Sequence, residues 1–274
     1  MILTNSDKER GSIIERLLPI QKEDFIDLFK EMSNLPVTIR LLDPPLHEFL
    51  PNSQQEIQRT ANLMAITEQQ LADRIKDLSE FNPMLGTRGV RLGVMVPEIY
   101  DMQVQAIFLA AIQVFEKYKI LVNPEIMIPL ISANKEVDLV RDRIREVFSQ
   151  LNKNNFVDLK YKLGVMVETP RAALRAGDIA KSCDFLSFGT NDLTQMTYGL
   201  SRDDSNRFMK EYIEKGLFNG DPFKTIDVEG VGELLKIAVQ RARNTNSKIV
   251  TGLCGEHGGD PTSCLLYTSP SPRD

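Results

Sequence analysis

Apolar residues fall along this chain in short runs, and between the runs they recur every three or four positions. The runs are Val37–Leu42 (VTIRLL), Gly89–Met95 (GVRLGVM), Glu125–Ile131 (EIMIPLI), Leu163–Glu168 (LGVMVE), Phe185–Phe188 (FLSF) and Lys248–Leu253 (KIVTGL). They are rich in Val, Ile, Leu and Met, as strands buried on both faces should be. Helical periodicity marks Lys22–Met32, Asp101–Tyr118, Lys135–Leu151, Arg171–Lys181 and Val231–Thr245. Thr67 followed by Gln70 reads as a capping box that opens a helix through Leu78. Strand-like and helix-like segments in alternation predict βα units around a parallel sheet. Pro44, Pro45 and the polar stretch to Gln58 make a long excursion after the first run. With no internal repeat and no linker-like segment, the pattern predicts one domain.

Composition narrows the functional classes. The chain has 274 residues, and 33 Lys plus Arg against 38 Asp plus Glu leave a formal charge of −5. Without a basic excess to neutralise phosphates, a nucleic-acid binder is disfavoured. At 42% hydrophobic residues the chain has enough apolar mass for an ordinary core. It nowhere approaches the ~20 consecutive apolar residues of a membrane span. The three cysteines have unrelated spacing, so neither a disulfide framework nor a zinc site is predicted. The opening MILTNSDKERG is too short and polar for a secretory signal. These features predict a soluble, cytoplasmic protein, and they leave an organellar location of its parent open. With no Walker sequence and no G-x-G-x-x-G opening a helix, ATP binding within the chain is not expected.

Chemically loaded residues gather at the C-terminal ends of the predicted strands, where barrel enzymes carry their chemistry. Arg40 lies in the first run and Asp43 just after it. Arg88 enters the second, Glu168 ends VMVE, Asn191 and Asp192 follow FLSFGT, and Cys254, Glu256 and His257 follow IVTGL. Each has a plainer reading. Glu168 can be a helix-entry acid favoured by the macrodipole, and Asn191 or Asp192 a simple N-cap. Together, two carboxylates on adjacent strand ends suit magnesium, which takes one or two carboxylates plus waters and substrate oxygens. Gly189 and Thr190 allow close backbone approach to an anion. Arg40 in an apolar strand needs an anion, or a pair with Asp43 or Glu48. Arg88, flanked by glycines, has room for a ligand beside its guanidinium, whose fork matches phosphate and carboxylate. Cys254 is either a thiol near the same centre or a small buried hydrophobe. Cys183 reads as structural, His257 as a loop-bonding imidazole, and His47 as orienting the double-proline turn. Arg141, Arg143 and Arg145, interleaved with acids, read as a solvated helix face.

The segments LPVTIRLLDPPLHEFLP (35–51), NPMLGTRGVRLG (82–93), GVMVETPRAAL (164–174), SFGTNDLTQMTYGLSRDD (187–204) and GLCGEHGGDP (252–261) together resemble the phosphoenolpyruvate-utilising enzymes. GTNDLTQ is shared with phosphoenolpyruvate synthases and with enzyme I of the sugar phosphotransferase system. LDPPLHEF resembles the pyruvate, phosphate dikinases within that family. The resemblance implies an α/β fold, a (β/α)8 TIM barrel of the phosphoenolpyruvate-binding type, occupying residues 1–263. It implies an enzyme that turns ATP, phosphate and pyruvate into AMP, diphosphate and phosphoenolpyruvate. The barrel step would be a magnesium-assisted phosphoryl transfer between phosphohistidine and pyruvate enolate. By matching motif, Arg40 and Arg88 correspond to phosphoryl-holding arginines and Glu168 and Asp192 to magnesium ligands. Gly189, Thr190 and Asn191 correspond to substrate contacts, Arg202 to an arginine near the phosphate, and Cys254 to a proton-handling cysteine. The partners implied are phosphoenolpyruvate or pyruvate, a phosphohistidine domain and an ATP-grasp domain of the same full-length chain, and a second copy in a homodimer.

The sequence also departs from the family pattern. The family's proton-donating cysteine in a CSPFRVP-like motif has no match here. CLLYTSPSPRD, from Cys264 to Asp274, resembles the translation of a sequencing-library adapter. About six of the barrel's eight strands are therefore expected, with Met1 an internal methionine and no turnover by the fragment alone. The competing readings are an enzyme I or phosphoenolpyruvate synthase, and a non-catalytic truncated binding module.

Overall fold

A computed structural model describes residues 3, 7–33, 35–152 and 159–268. In chain order its elements are α1 (Asp7–Glu31), β1 (Val37–Arg40), α2 (Gln54–Leu63), α3 (Glu68–Leu78), α4 (Val90–Met95), α5 (Pro97–Tyr118), β2 (Pro124–Ile128) and α6 (Asn134–Asn152). There follow β3 (Lys162–Val167), α7 (Pro170–Leu174), α8 (Ala176–Ile179), β4 (Phe185–Gly189), α9 (Thr190–Tyr198), α10 (Asn206–Glu214), α11 (Val231–Thr245), β5 (Val250–Cys254) and α12 (Pro261–Thr268). The chain divides into two compact units, residues 1–124 with 142–161, and residues 125–141 with 162–274.

The second unit is built of βα repeats. β2, β3, β4 and β5 pair in parallel and in chain order, with Val165 opposite Ile128 and Leu186, and Cys254 opposite Gly189. Parallel neighbours in sequence order require crossover helices, and α6, α7–α8 and α9–α11 supply them. Ile126, Ile128, Val165, Val167, Leu186 and Phe188 are buried on one sheet face, and Met127, Met166 and Phe185 on the other. Burial on both faces explains why these strands read as unbroken apolar runs and not as alternating ones. This is the α/β fold expected, with sheet strands ordered as in part of a (β/α)8 barrel.

The first unit is mainly helical. α1 packs along α5, burying Ile26 and Phe29 alongside Ile99, Ile107 and Phe108. Phe108 also meets the rings of Phe148 and Tyr161, with centroids 5.0 and 5.2 Å away. The Thr67 capping box is present, Thr67 Oγ1 accepting from the Gln70 amide at 3.2 Å while Gln70 Oε1 accepts from the Thr67 amide at 3.0 Å. A second capping box, Ser53 with Glu56, opens α2 inside the excursion that the sequence reading left without structure.

Five strands occur among the described residues, one fewer than expected. The segment Gly89–Met95 is helix α4 and not a strand. Gly89, at φ 54°, turns the chain directly after Arg88, and Pro97 at the first position of α5 closes the segment after a few residues. A run this short fits a buried helical turn as well as a strand, and tertiary contacts decide it. Arg171–Lys181 likewise forms two short helices broken at Arg175. α12 continues past Ser263 to Thr268, and residues 269–274 of the Cys264–Asp274 segment lie outside the described residues. No helix among the described residues is long and apolar enough to cross a membrane.

Candidate functional site

Glu168 follows β3 directly and is 1% exposed. Its Oε1 accepts the Leu130 amide at 2.5 Å. Leu130 reaches it by adopting a left-handed backbone, φ 53°, a conformation that costs a non-glycine residue on the order of 1 kcal/mol or more. Thr169 reinforces the same loop by donating its hydroxyl to the Ile131 carbonyl at 3.1 Å while capping α7. Glu168 is thus both the residue at a helix entry and a carboxylate held away from water by a strained loop.

Gly189 ends β4 beside it. A methyl group there would stand 2.6 Å from Glu168 Oε2 and 3.0 Å from Met166 Sδ. The position therefore needs glycine because the Glu168 side chain fills the space a Cβ would take. α9 starts at the next residue, placing Asp192 in its first turn. A carboxylate oxygen of Asp192 and one of Glu168 lie within 4.8 Å of each other. Two carboxylates this close, one of them buried, repel unless a cation or proton stands with them. An oxygen-only donor pair of this kind fits a hard divalent ion such as magnesium, which takes one or two carboxylates.

Thr190 and Asn191 are gripped by the turn after β5. The Thr190 hydroxyl lies 2.8 Å from His257 Nδ1, and His257 Nε2 lies 2.9 Å from the Pro222 carbonyl. Asn191 Oδ1 accepts the Glu256 amide at 3.3 Å. Arg202 forms an ion pair with Glu256, and its own amide donates to Gln195 Oε1 at 3.0 Å. His257 bonds a loop carbonyl, as its plainer reading expects, and it bonds Thr190 as well.

Cys254 ends β5 opposite Gly189 and packs against Met127, Met166 and Phe185. Ser187 Oγ donates to its sulfur at 3.1 Å, and the thiol donates to the Phe188 carbonyl at 3.4 Å. Glu168, Gly189 and Cys254 share one sheet face through this register. Cys183 is a different kind of thiol: burial, with Asp184 nearby, pushes its pKa up to about 12, so it stays protonated and inert at neutral pH.

The arginines belong to the other unit. Arg88 is buried and grips Asp43 with both edges of its fork, Nε to Oδ1 at 3.1 Å and Nη2 to Oδ2 at 2.6 Å. Arg40, half-exposed, reaches the same Asp43 Oδ2 at 3.1 Å. Of the readings open for Arg40, the pair with Asp43 forms. Asp43 is placed by its neighbour Leu42, whose amide donates to Gln103 Oε1 at 2.9 Å and whose carbonyl accepts from Tyr100 at 3.0 Å. Arg88 is placed by its own loop. Glu80 Oε1 accepts the Thr87 amide at 2.6 Å, and Arg91 donates to the Leu85 and Gly86 carbonyls at 2.8 and 3.0 Å. Arg141 and Arg145 pair with acids of their own helix, as a solvated face does, but Arg143 crosses to Asp101 of α5.

Leu130, Gln103, Tyr100 and Glu80 escaped the sequence reading. Leu130 is an apolar residue acting through its backbone, so no side-chain pattern could reveal it. The polar Gln103 on an otherwise apolar face of α5 was a legible signal.

Parallel strands in chain order with their polar residues at the C-terminal tips define a protein of the (β/α)-barrel class. The chain belongs to the PEP-utilising enzyme, PEP-binding domain family, which matches it over residues 1–269. It is 51% identical over 279 aligned residues to the pyruvate, phosphate dikinase of Rhizobium meliloti (strain 1021), covering 99% of this chain and 31% of that protein. It is 45% identical over 279 residues to the pyruvate, phosphate dikinase of Clostridium symbiosum, again over 99% of this chain and 32% of the relative. To pyruvate, phosphate dikinase 2 of Oryza sativa subsp. japonica it is 48% identical over 269 residues, 97% of this chain and 30% of the relative. The chain spans about a third of the length of these curated relatives.

Proposed function

We infer that this chain is the phosphoenolpyruvate/pyruvate-binding part of a pyruvate, phosphate dikinase, and that it carries phosphoryl between a phosphohistidine and pyruvate enolate. The observation that carries the reading is the Glu168–Asp192 pair, two carboxylates within 4.8 Å at the ends of adjacent strands, in a phosphoenolpyruvate-binding family. Glu168 and Asp192 would hold Mg2+, which would supply positive charge to stabilise the negative charge developing on the substrate as phosphoryl leaves.

The remaining steps fall to the chain's own residues. Arg40 and Arg88, with their planes set by Asp43, hold the phosphoryl group and match its charge. Gly189, Thr190 and Asn191 border the substrate, mainly through backbone, and Arg202 stands near its phosphate end. In the direction of phosphoenolpyruvate consumption, the P–O bond to the enol oxygen breaks and a P–N bond to histidine forms. The enolate then takes a proton at its methylene carbon, and Cys254 handles that proton. The histidine and the nucleotide belong to a phosphohistidine domain and an ATP-grasp domain of the full-length polypeptide, which pairs as a homodimer in the cytoplasm.

Calorimetric titration of the 274-residue chain with phosphoenolpyruvate tests the reading. Binding is expected with Mg2+ present, and is expected to vanish with chelator or in Asp192→Ala. Equal affinity with and without Mg2+ would overturn it. Exchange of the pyruvate methyl protons into deuterated water tests Cys254 separately. Cys254→Ala is expected to abolish exchange while leaving binding intact.

A further inference from the structure

His257 is fully buried, a costly position for an imidazole unless both ring nitrogens are satisfied. Here both are, and the partners fix the proton. A carbonyl oxygen can only accept, so Nε2, 2.9 Å from the Pro222 carbonyl, carries the hydrogen. In the neutral ring Nδ1 is then an acceptor, and the Thr190 hydroxyl 2.8 Å away must donate to it. Thr190 is itself fully buried, so that hydroxyl faces the protein interior and not a ligand. It tethers the first turn of α9, the turn that bears Asp192.

Two neighbouring contacts act on the same turn. Gly255, at φ 113°, brings its backbone so close that a methyl there would stand 2.8 Å from Thr190 Oγ1. The Glu256 amide holds Asn191 Oδ1. The segment around Pro222 is fastened a second time to the region after β5, its Ile226 amide donating to Ser263 Oγ at 2.9 Å. His257 is the one of these groups that ties the Pro222 segment directly to α9.

We propose that His257 is a positioning residue for the divalent-cation pair. Its Nε2–H tautomer, set by Pro222, holds the Thr190 hydroxyl and so keeps Asp192 at its working distance from Glu168. The inference rests on the function proposed above and adds a residue to it. Groups that orient metal ligands from behind typically change metal affinity about 10- to 100-fold when lost.

Two amide variants separate the two ring nitrogens. His257→Asn places a polar atom near Nδ1 and can keep the Thr190 contact, whereas His257→Gln reaches toward Nε2 and keeps only the Pro222 contact. Binding of Mg2+ alone, and of phosphoenolpyruvate with Mg2+, is measured by calorimetry on each chain, alongside its melting temperature. Wild type and His257→Asn are expected to bind within a few-fold of each other. His257→Gln and Thr190→Val are expected to lose about 10-fold or more in Mg2+ affinity. Nitrogen-15 NMR of the metal-free chain is expected to find the hydrogen of His257 on Nε2. A hydrogen on Nδ1 overturns the inference, as does Mg2+ affinity that follows melting temperature across all variants whichever amide is present. Wild type binding normally with His257→Gln unchanged overturns the inference alone. A wild-type chain that binds neither Mg2+ nor phosphoenolpyruvate overturns the underlying reading as well.

Discussion

The two units place their charged groups by opposite means. In the second, backbone register does the placing. Gly189 and Cys254 face each other across β4 and β5, Glu168 follows β3, and Asp192 stands one turn into the helix that follows β4. In the first, side chains do it. Arg88 sits in a loop between a short turn and α4, and its direction is set by the carboxylate of Asp43, distant in sequence. A site placed by register should be sensitive to volume at a strand end, and one placed by an ion pair to loss of a single charge.

The largest effect is expected where the charge is removed. Asp43→Ala leaves Arg88 buried and without its main counter-charge, and breaking such a pair costs about 3–5 kcal/mol. Urea unfolding is expected to show that loss, with Asp43→Asn milder because it keeps the shape and an acceptor. An Asp43→Ala chain as stable as wild type would mean that the arginine loop is held by Glu80 and Arg91 alone.

Volume is the corresponding probe of the second unit. Gly189→Ala drives a methyl against Glu168, at 2.6 Å from Oε2, and overpacking of this kind costs about 1–3 kcal/mol. Mg2+ binding is expected to weaken with it, because the carboxylate must move. Gly252→Ala on the next strand is the control, since its methyl would meet nothing within 4 Å. Its stability and metal affinity are expected to match wild type. Equal effects from the two substitutions would show that sheet backbone, and not Glu168, feels the change.

Helix caps extend the contrast at lower energy. Thr67 caps α3 at the surface, and Thr67→Ala should cost ~1 kcal/mol. Thr169 caps α7 while buried and also donates to Ile131. Its alanine variant loses the cap and strands a buried carbonyl, adding about 1–3 kcal/mol. Thermal melts of the two variants should separate clearly, and coincident melts would remove the Thr169–Ile131 bond from the account of how Glu168 is held.

How much of this was legible follows the same division. Leu163–Glu168 and Phe185–Phe188 could be read because strands buried on both faces leave continuous apolar runs, and the loaded residues then fall at their ends. Gly89–Met95 has the same texture and is a helix, since Pro97 and the anchored Arg88 decide its backbone and neither acts through periodicity. Ser53 and Glu56 carry the same cap signature as Thr67 and Gln70, and α2 was open to the same reading. Leu130 was beyond reach, because its contribution is a backbone amide aimed by a left-handed φ.

The smallest expected effect compares two acids, the half-buried Asp260 and the exposed Glu56, one in each unit. The Asp260 carboxyl is held below its ordinary value of 3.8, chiefly by the Ser263 hydroxyl and amide. That of Glu56 lies below its ordinary 4.5, chiefly through the Asn52 and Ser53 amides. A carboxyl depressed on folding stabilises the fold in full above its ordinary value, and that contribution decays as pH falls through the lower, folded one. Both acids should therefore steepen the acid limb of the stability curve below those two values, and neither should matter near neutrality. Asp260→Asn and Glu56→Gln are expected to flatten that limb slightly in acid titrations followed by circular dichroism. Ser263 also holds the Ile226 amide, so Ser263→Ala should reproduce the Asp260→Asn flattening and add a pH-independent loss. The Glu56 cap has no such second attachment in the contacts that define it, and Ser53→Ala should change the acid limb without that constant term. If Ser263→Ala and Ser53→Ala shift the whole curve equally, the anchoring of the segment that carries Pro222 does not depend on Ser263, and its ties to α9 through His257 and through the Tyr198–Phe218 ring contact are left to hold it.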